Sequence, residues 1–321
     1  MTSEVVYLTG ASGFVGQHLQ RLLPARGVRK IVTVGRSGSD LDYATFAKAE
    51  LEADSAVIHL AGQAHDLHGS ADEARYEAAN VALTRDVYEA FRASKARTFI
   101  FFSSVKAVSD APAGILREND EPHPTTPYGR SKLRAEQYLA GRPPEPGQEL
   151  YVLRPCVVVG PGVKGNFALL NRLIRARIPY PLGAFANQRS VLSIDNLEFV
   201  VTAALKGDLP PGTYNLADDE PLSTVDMVRT LAAAHGRSPK IWPIPVSVVK
   251  ALARAGDVLP LPLNSLRLQK LTESYVVDNA ALKSGLGVER LPVSPRGGLI
   301  HSVVHTRQAG TSEGRSHNQP R

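Results

Sequence analysis

The stretch TGASGFVG, Thr9 to Gly16, sets three glycines between an apolar run and a helical pattern. Before it stand Val5, Val6, Tyr7 and Leu8, a short β-branched and aromatic block that reads as a buried strand. After it Phe14, Val15, Leu19, Leu22 and Leu23 recur at helical spacing until Pro24 and Gly27 stop them. A helix N-terminus exposes unpaired N–H groups and the positive end of the helix dipole, so backbone close to it forms an anion site suited to a diphosphate. Gly10 permits the tight turn, Gly13 lets a phosphate approach the main chain, and Gly16 lets the helix pack closely on the strand. The spacing, G-x-x-G-x-x-G, departs from G-x-G-x-x-G, and an ordinary glycine-rich turn is the alternative reading.

The chain has 321 residues, 43% hydrophobic and 21% charged, the composition of a soluble globular protein with room for one elaborated α/β unit or two domains. Lys250, Arg254 and Asp257 interrupt the most apolar late segment, so no membrane span is expected. The first residues, Met1-Thr2-Ser3-Glu4, lead directly into a strand with no basic or apolar leader, and a cytoplasmic location is expected. The single cysteine, Cys156, lies in the apolar run VLRPCVVVG and is read as a small core residue. Of the net charge of +6, residues 306–321 supply +2 through Arg307, Arg315 and Arg321 against Glu313, and that polar tail is read as disordered. No basic block with interleaved aromatics marks a nucleic-acid surface, and no metal site is expected.

Strand-like runs at Ile31–Val34, Ala56–Leu60, Thr98–Phe102 and Tyr151–Val159 alternate with helical patterns at 71–95 and 129–140. That alternation predicts an α/β fold with a doubly wound parallel sheet, in which ligands bind beyond the carboxyl ends of the strands. The second half is less regular. It contains a helix entered through Gly165, a strand and helix in SVLSIDNLEFVVTAAL, and a helix capped by Ser223 or Thr224 and closed by Gly236. The expected organisation is a dinucleotide-binding domain at 1–160, to which 190–212 returns, and a smaller discontinuous α/β lobe from 161–189 and 213–305.

Tyr128 and Lys132, in TTPYGRSKLRAEQYL, stand four apart at the start of a helix and share a face. A neighbouring ammonium favours phenolate, so Lys132 is expected to bring Tyr128 toward a usable general acid/base. Ser103 and Ser104 close the strand FIFFSS and place a hydroxyl at the ligand edge.

On TGASGFVG, DSAVIHLAG, NVALTRDVYEA, FFSSVKAV, PYGRSK, LRPCVVVGPG and RSVLSIDNL, the chain from about 4 to 292 resembles the extended short-chain dehydrogenases/reductases, specifically the NAD-dependent epimerase/dehydratase family of nucleotide-sugar enzymes. The resemblance implies a Rossmann-type sheet, Tyr128 as acid/base, Lys132 as the ribose-binding partner that lowers its pKa, and a serine that positions substrate. It further implies that Gly10, Gly13, Phe14, Val15 and Gly16 surround the pyrophosphate, that Leu60, Ala61 and Gly62 border adenosine or ribose, that Asn80 helps hold the cofactor, and that Pro155 lies near the nicotinamide. His59 reads as a structural strand-end histidine, and His65 and His68 as solvated loop residues.

Departures from the family pattern matter. Gly35-Arg36-Ser37 follows the second strand where an NAD enzyme usually shows Asp or Glu, so Arg36 suits a 2′-phosphate, with NAD or NADP as the cofactor. Asp40-Leu41 resembles the pair that contacts adenine, in a shortened segment. In UDP-galactose 4-epimerases the hydroxyl residue aligns with Val105, which leaves Ser104, or second to it Ser103, for the catalytic role. Val105-Lys106 replaces the acidic pair of sugar dehydratases, and SSVK is most similar to the UDP-N-acetylquinovosamine 4-dehydrogenase subgroup of surface-polysaccharide synthesis. Ser103, Lys106, Asn166 and Arg189 are carried over as substrate contacts, Arg189 on a phosphate of a UDP-linked sugar. The expectations are a 4-keto reductase, slightly ahead of a 4-epimerase with retained NAD; a homodimer through paired helices, one carrying Tyr128 and Lys132; and, as another class, a dinucleotide-sensing protein without turnover.

Overall fold

The structure, a computed structural model, describes residues 4–63, 73–259 and 264–312. The chain divides into two units. One comprises Met1–Cys156, Ile194–Ala217 and Val277–Pro292; the other comprises Val157–Ser193, Asp218–Val276 and Val293–Arg321.

The first unit is built on seven parallel strands: β1 (Val5–Thr9), β2 (Lys30–Gly35), β3 (Leu41–Asp42), β4 (Ala56–His59), β5 (Thr98–Phe102), β6 (Glu149–Pro155) and β7 (Gly212–Leu216). Their order, 3-2-1-4-5-6-7, reverses at β1, where Val6 pairs with Ile31 on one side and Ala56 on the other. β1, β4 and β5 are buried on both faces, which explains their unbroken apolar runs. The flanking helices are α1 (Phe14–Leu22), α2 (Leu83–Arg92), α3 (Pro127–Ala140) and α4 (Ile194–Lys206). Tyr88, Phe91 and Phe99 form an aromatic knot between α2 and β5, with ring centroids 5.0–6.0 Å apart.

Three expectations about organisation change. The run Tyr151–Val159 is two strands: β6 ends at Pro155, and Val157–Val159 pairs in parallel with Val191–Ser193 in the second unit. Cys156, at that break, is partly exposed rather than a core residue, and its N–H donates to Leu216 O at 3.0 Å. Residues 277–292 also return to the first unit. There Asn279 Nδ2 donates to Ala217 O at 3.0 Å, and the helix Ala280–Leu286 buries Leu282.

In the second unit the helices Asn166–Arg175, Thr224–Ala234 and Pro295–Ser312 enclose a core of Val159, Val191, Met227, Leu231, Leu299 and Val303. Ser223 caps the second of these by accepting from Asp226 N–H. The helix Pro295–Ser312 runs into the stretch read as a disordered tail, so residues 306–312 are helical; 313–321 lie outside the described residues. A second cluster, Leu182, Val249, Ala253 and Leu268, joins the helices Val246–Val258 and Ser265–Thr272 to the 180–185 segment.

Candidate active site

The glycine turn follows β1 directly. Gly10 has φ +69°, and a Cβ built on it would sit 2.7 Å from Ala61 N, so both the conformation and the crowding demand glycine. A Cβ on Gly16 would lie 2.4 Å from Gly10 O, which is how α1 packs so tightly on the turn. Gln20 braces the loop by donating to Ala11 O at 2.8 Å. α1 starts from Gly13 with no side-chain cap and no acidic residue in its first turn, so its leading N–H groups stay available to an anion. Beside it lies a cavity of about 490 Å³ lined by Gly10, Ala11, Ser12, Arg36, Ser39 and Tyr43, among others. These features fit a dinucleotide pyrophosphate. Phe14 and Val15 open α1 and are half-buried; Phe14 sets its ring edge against His18.

Arg36 lines that cavity from the end of β2 and is exposed. The nearby carboxylates are engaged elsewhere. Asp40 accepts from Thr33 N–H and Oγ, both at 2.8 Å, and Asp42 caps a short helix by accepting from Thr45 N–H at 2.6 Å. These hydrogen bonds hold both carboxyls below the usual range. Leu41 pairs with Val34, so β3 follows β2 after a short turn.

At the end of β4, Leu60, Ala61 and Gly62 run beneath a buried polar network. Asn80 lies in a π-helical stretch, Glu77–Ala82, that turns its amide inward. Its Oδ1 accepts from Gln63 N–H at 2.7 Å, and its Nδ2 donates to Gln63 O and to Ser131 Oγ. Asn80 is thereby committed to the loop after β4 and to α3. His59 is fully buried, with Nδ1 2.8 Å from Thr9 Oγ1 and Nε2 3.0 Å from Thr84 Oγ1. Burial first, and then the Lys132 charge, pushes its pKa down to about 3, so it is a neutral structural residue as the sequence suggested. His65 and His68 lie outside the described residues.

β5 ends at the two serines, and they separate cleanly. Ser103 Oγ donates to the Glu136 carboxylate, inside a buried network in which Arg154 grips Glu136 through Nε at 3.0 Å and Nη2 at 2.5 Å. Ser104 Oγ instead accepts from Lys106 N–H at 3.2 Å, and Ser104 is the side chain that pulls the Tyr128 pKa down. Tyr128 is placed by a well-anchored helix start: Thr126 caps α3 by accepting from Gly129 N–H, and Asp110 accepts from Thr125 and Thr126 N–H, each at 2.8 Å.

Lys132 is buried, its Nζ donating to Phe102 O at 2.8 Å and lying 4.9 Å from the Phe101 ring centroid. Desolvation lowers its pKa to about 8 against the opposing pull of Glu136. Lys132 is not among the groups that shift the Tyr128 pKa. Burial raises the phenol's pKa, Tyr76 and Asp110 push the same way, and Ser104 is the group that opposes them. Tyr128 and Lys132 share one helix, and the ammonium gives one of its three donors to the β5 carbonyl.

The remaining candidates are less concentrated. Pro155 closes β6 opposite Leu216. Lys106 is largely exposed and pairs with Asp110 at 3.8 Å. In the second unit Asn166 heads its helix, its side chain lying outside what is described. Arg189 donates to Lys270 O at 2.5 Å and Glu273 O at 3.2 Å, with the Glu273 carboxylate at 3.5 Å. Sequence reading missed Ser12, Ser39 and Tyr43 on the cavity and the Glu136–Arg154 pair. Ser12 lay within the quoted glycine motif, whereas nothing local in Arg154 pointed to a carboxylate 18 residues away.

The family model for the NAD dependent epimerase/dehydratase family matches residues 6–217. A UDP-glucose 4-epimerase from Vibrio cholerae is 30% identical over 299 residues, 88% of this chain and 89% of that protein. A GDP-6-deoxy-D-mannose reductase from Pseudomonas aeruginosa is 32% identical over 197 residues, 60% of this chain and 64% of that protein. Among solved structures, RMD from Pseudomonas aeruginosa complexed with NADPH superposes with a TM-score of 0.72 at 21% identity, covering 96% of this chain and 100% of that one, a likeness of fold.

Proposed function

Because this chain belongs to the NAD dependent epimerase/dehydratase family, we propose that it is an NADP(H)-dependent 4-keto reductase of a nucleotide sugar, UDP-linked, serving surface-polysaccharide synthesis. Epimerases and reductases both stand among its relatives, and the family assignment covers NAD(P)-dependent enzymes of nucleotide sugars in general. The observation that carries the finer reading is Arg36: a guanidinium lines the dinucleotide cavity where a carboxylate would hold a ribose diol, and Asp40 and Asp42 are spent on Thr33 and Thr45.

In this reading the α1 N-terminus and the glycine turn hold the pyrophosphate, Arg36 the 2′-phosphate, and Lys132 the ribose side, with Asn80 helping indirectly by fixing the loop after β4. Bound there, the dinucleotide supplies the hydride. Tyr128 gives its proton to the C4 oxygen, and Ser104, which pulls the phenol's pKa down, steadies the phenolate left behind. Pro155 borders the nicotinamide; Lys106, Asn166 and Arg189 are the substrate contacts, and a homodimer is the proposed assembly. The second reading, a 4-epimerase with retained NAD, is favoured by the Vibrio cholerae relative, whose likeness extends over most of both chains.

Mass spectrometry of the dinucleotide released on denaturing the fresh protein separates them. NADP, or an empty site with NADPH-driven reduction of a UDP-4-keto sugar, is expected of the reductase. Stoichiometric NAD overturns that reading in favour of the epimerase.

A further inference from the structure

Large apolar side chains left exposed are unevenly distributed: Ile178, Trp242, Val248, Leu252, Val258, Leu259 and Leu266 all belong to the second unit, between residues 178 and 266. Their centre is the helix Val246–Val258. It buries only Val249, Ala253 and Gly256, the first two in the cluster with Leu182 and Leu268. At about 100° per residue, Val248, Leu252 and Ala255 fall on one flank of that helix, and Leu259 at its C-cap continues the spacing. Ala251 and Val258 cover the outward face, and Lys250 and Arg254 line the far flank. Leu252 and Leu259 are each 55% exposed. The neighbouring helix Ser265–Thr272 leaves Leu266 exposed, and Trp242, 55% exposed, stands just before the first helix.

Charge decides what this surface fits. From 240 to 272 the chain carries Lys240, Lys250, Arg254, Arg267 and Lys270 against Asp257 alone, a net +4 out of +6 for the whole protein. All five cations are exposed, and the Asp257 carboxylate is occupied by Ser265 N–H at 2.8 Å and Ser265 Oγ at 2.5 Å. The next carboxylate, Glu273, faces Arg189. A helix with an apolar flank and outward face, a cationic edge and an adjacent tryptophan has the composition of a helix that lies in the plane of a bilayer interface. Anionic headgroups satisfy this excess, and the adjoining apolar flank suits the acyl boundary beneath them.

We propose that the face formed by the helices Val246–Val258 and Ser265–Thr272 docks reversibly on an anionic lipid surface, with Val248, Leu252 and Leu259 entering the headgroup boundary and Lys250 and Arg254 meeting lipid phosphates. This is peripheral attachment; among the described residues no helix is long and apolar enough to cross a membrane.

The test uses the full chain and vesicles of 70:30 phosphatidylcholine and phosphatidylglycerol, with pure phosphatidylcholine vesicles beside them. Trp242 is the sole tryptophan, so its emission reports the face directly. A blue shift and co-sedimentation on the anionic vesicles are expected, lost on pure phosphatidylcholine and weakened at 0.5 M salt. Lys250→Glu with Arg254→Glu should lower the partition coefficient more than tenfold, at about fivefold per charge removed. Leu252→Gln with Leu259→Gln should lower it at least as far. Absence of binding to anionic vesicles at low salt overturns the proposal. So does unchanged binding by the leucine double variant, which reduces the effect to charge alone. A leucine double variant that dissociates a dimer in light scattering, with no vesicle binding by the parent, assigns the face to a second copy instead.

Discussion

The Ser103 hydroxyl donates a hydrogen bond to the Glu136 carboxylate, whereas its neighbour Ser104 is the side chain that opposes the rise in the Tyr128 pKa. Two adjacent hydroxyls at the end of one strand therefore have different tasks, and substitution should tell them apart. Ser104→Ala is expected to lower kcat/KM by about 10- to 100-fold, the worth of a hydrogen bond to a charged group. Ser103→Ala should leave turnover per folded molecule nearly unchanged and cost about 1–3 kcal/mol of stability, because a buried carboxylate loses a donor. Urea unfolding beside steady-state kinetics checks both; the reverse pattern would assign the roles the other way.

Tyr128→Phe removes the acid/base without disturbing the Thr126 cap or the Asp110 anchor that hold the helix start. Turnover should fall by about 10²- to 10⁴-fold. NADPH affinity, read by the enhancement of its fluorescence, should stay within about threefold. Biological activity that survives in this variant would point to a dinucleotide sensor.

Arg36 decides cofactor choice if it meets the 2′-phosphate. Arg36→Asp should cost about 10- to 100-fold in kcat/KM with NADPH and shift preference toward NADH. Parallel titrations with the two reduced cofactors measure it, and an unchanged ratio would remove the main support for the reductase.

His59 makes stability depend on pH. Its pKa falls from 6.5 in the unfolded chain to about 3 in the fold, so as pH drops the unfolded state takes up the proton first. The stability present above pH 6.5 is therefore lost progressively between 6.5 and 3, at about 1.4 kcal/mol per pH unit. Urea midpoints at pH 7 and pH 5 should separate more in the parent chain than in His59→Gln, although the variant starts from a lower baseline.

Gly16→Ala places a Cβ against Gly10 O at 2.4 Å and must push α1 off the turn. A loss of about 1–3 kcal/mol is expected, together with weaker dinucleotide binding. Thermal melts with and without NADPH would register both effects.

The sheet was legible because its signals are local. β1, β4 and β5 are buried on both faces and so wrote themselves as continuous apolar runs, and the glycine spacing around Gly10 and Gly16 reports contacts within a single turn. Tyr128 and Lys132 were legible for the same reason, since helical spacing alone puts them on one face. The break at Cys156 was not, because Val157–Val159 is as apolar as β6 and only its partner, Val191–Ser193, reveals that it belongs to another sheet.

What the sequence by itself determined is thus the parallel α/β architecture, the glycine turn at the head of α1 and the Tyr128–Lys132 spacing, all of which arise from periodicity and backbone sterics over a few residues. Tertiary structure alone decided that Ser103 is taken by Glu136 while Ser104 is not, that one Lys132 donor goes to Phe102 O, that Arg189 is held by carbonyls more than 80 residues away, and that Trp242 and Leu252 stay uncovered. Hydrogen-bond partnership and burial depend on which distant segments the fold brings together, and no local pattern encodes that.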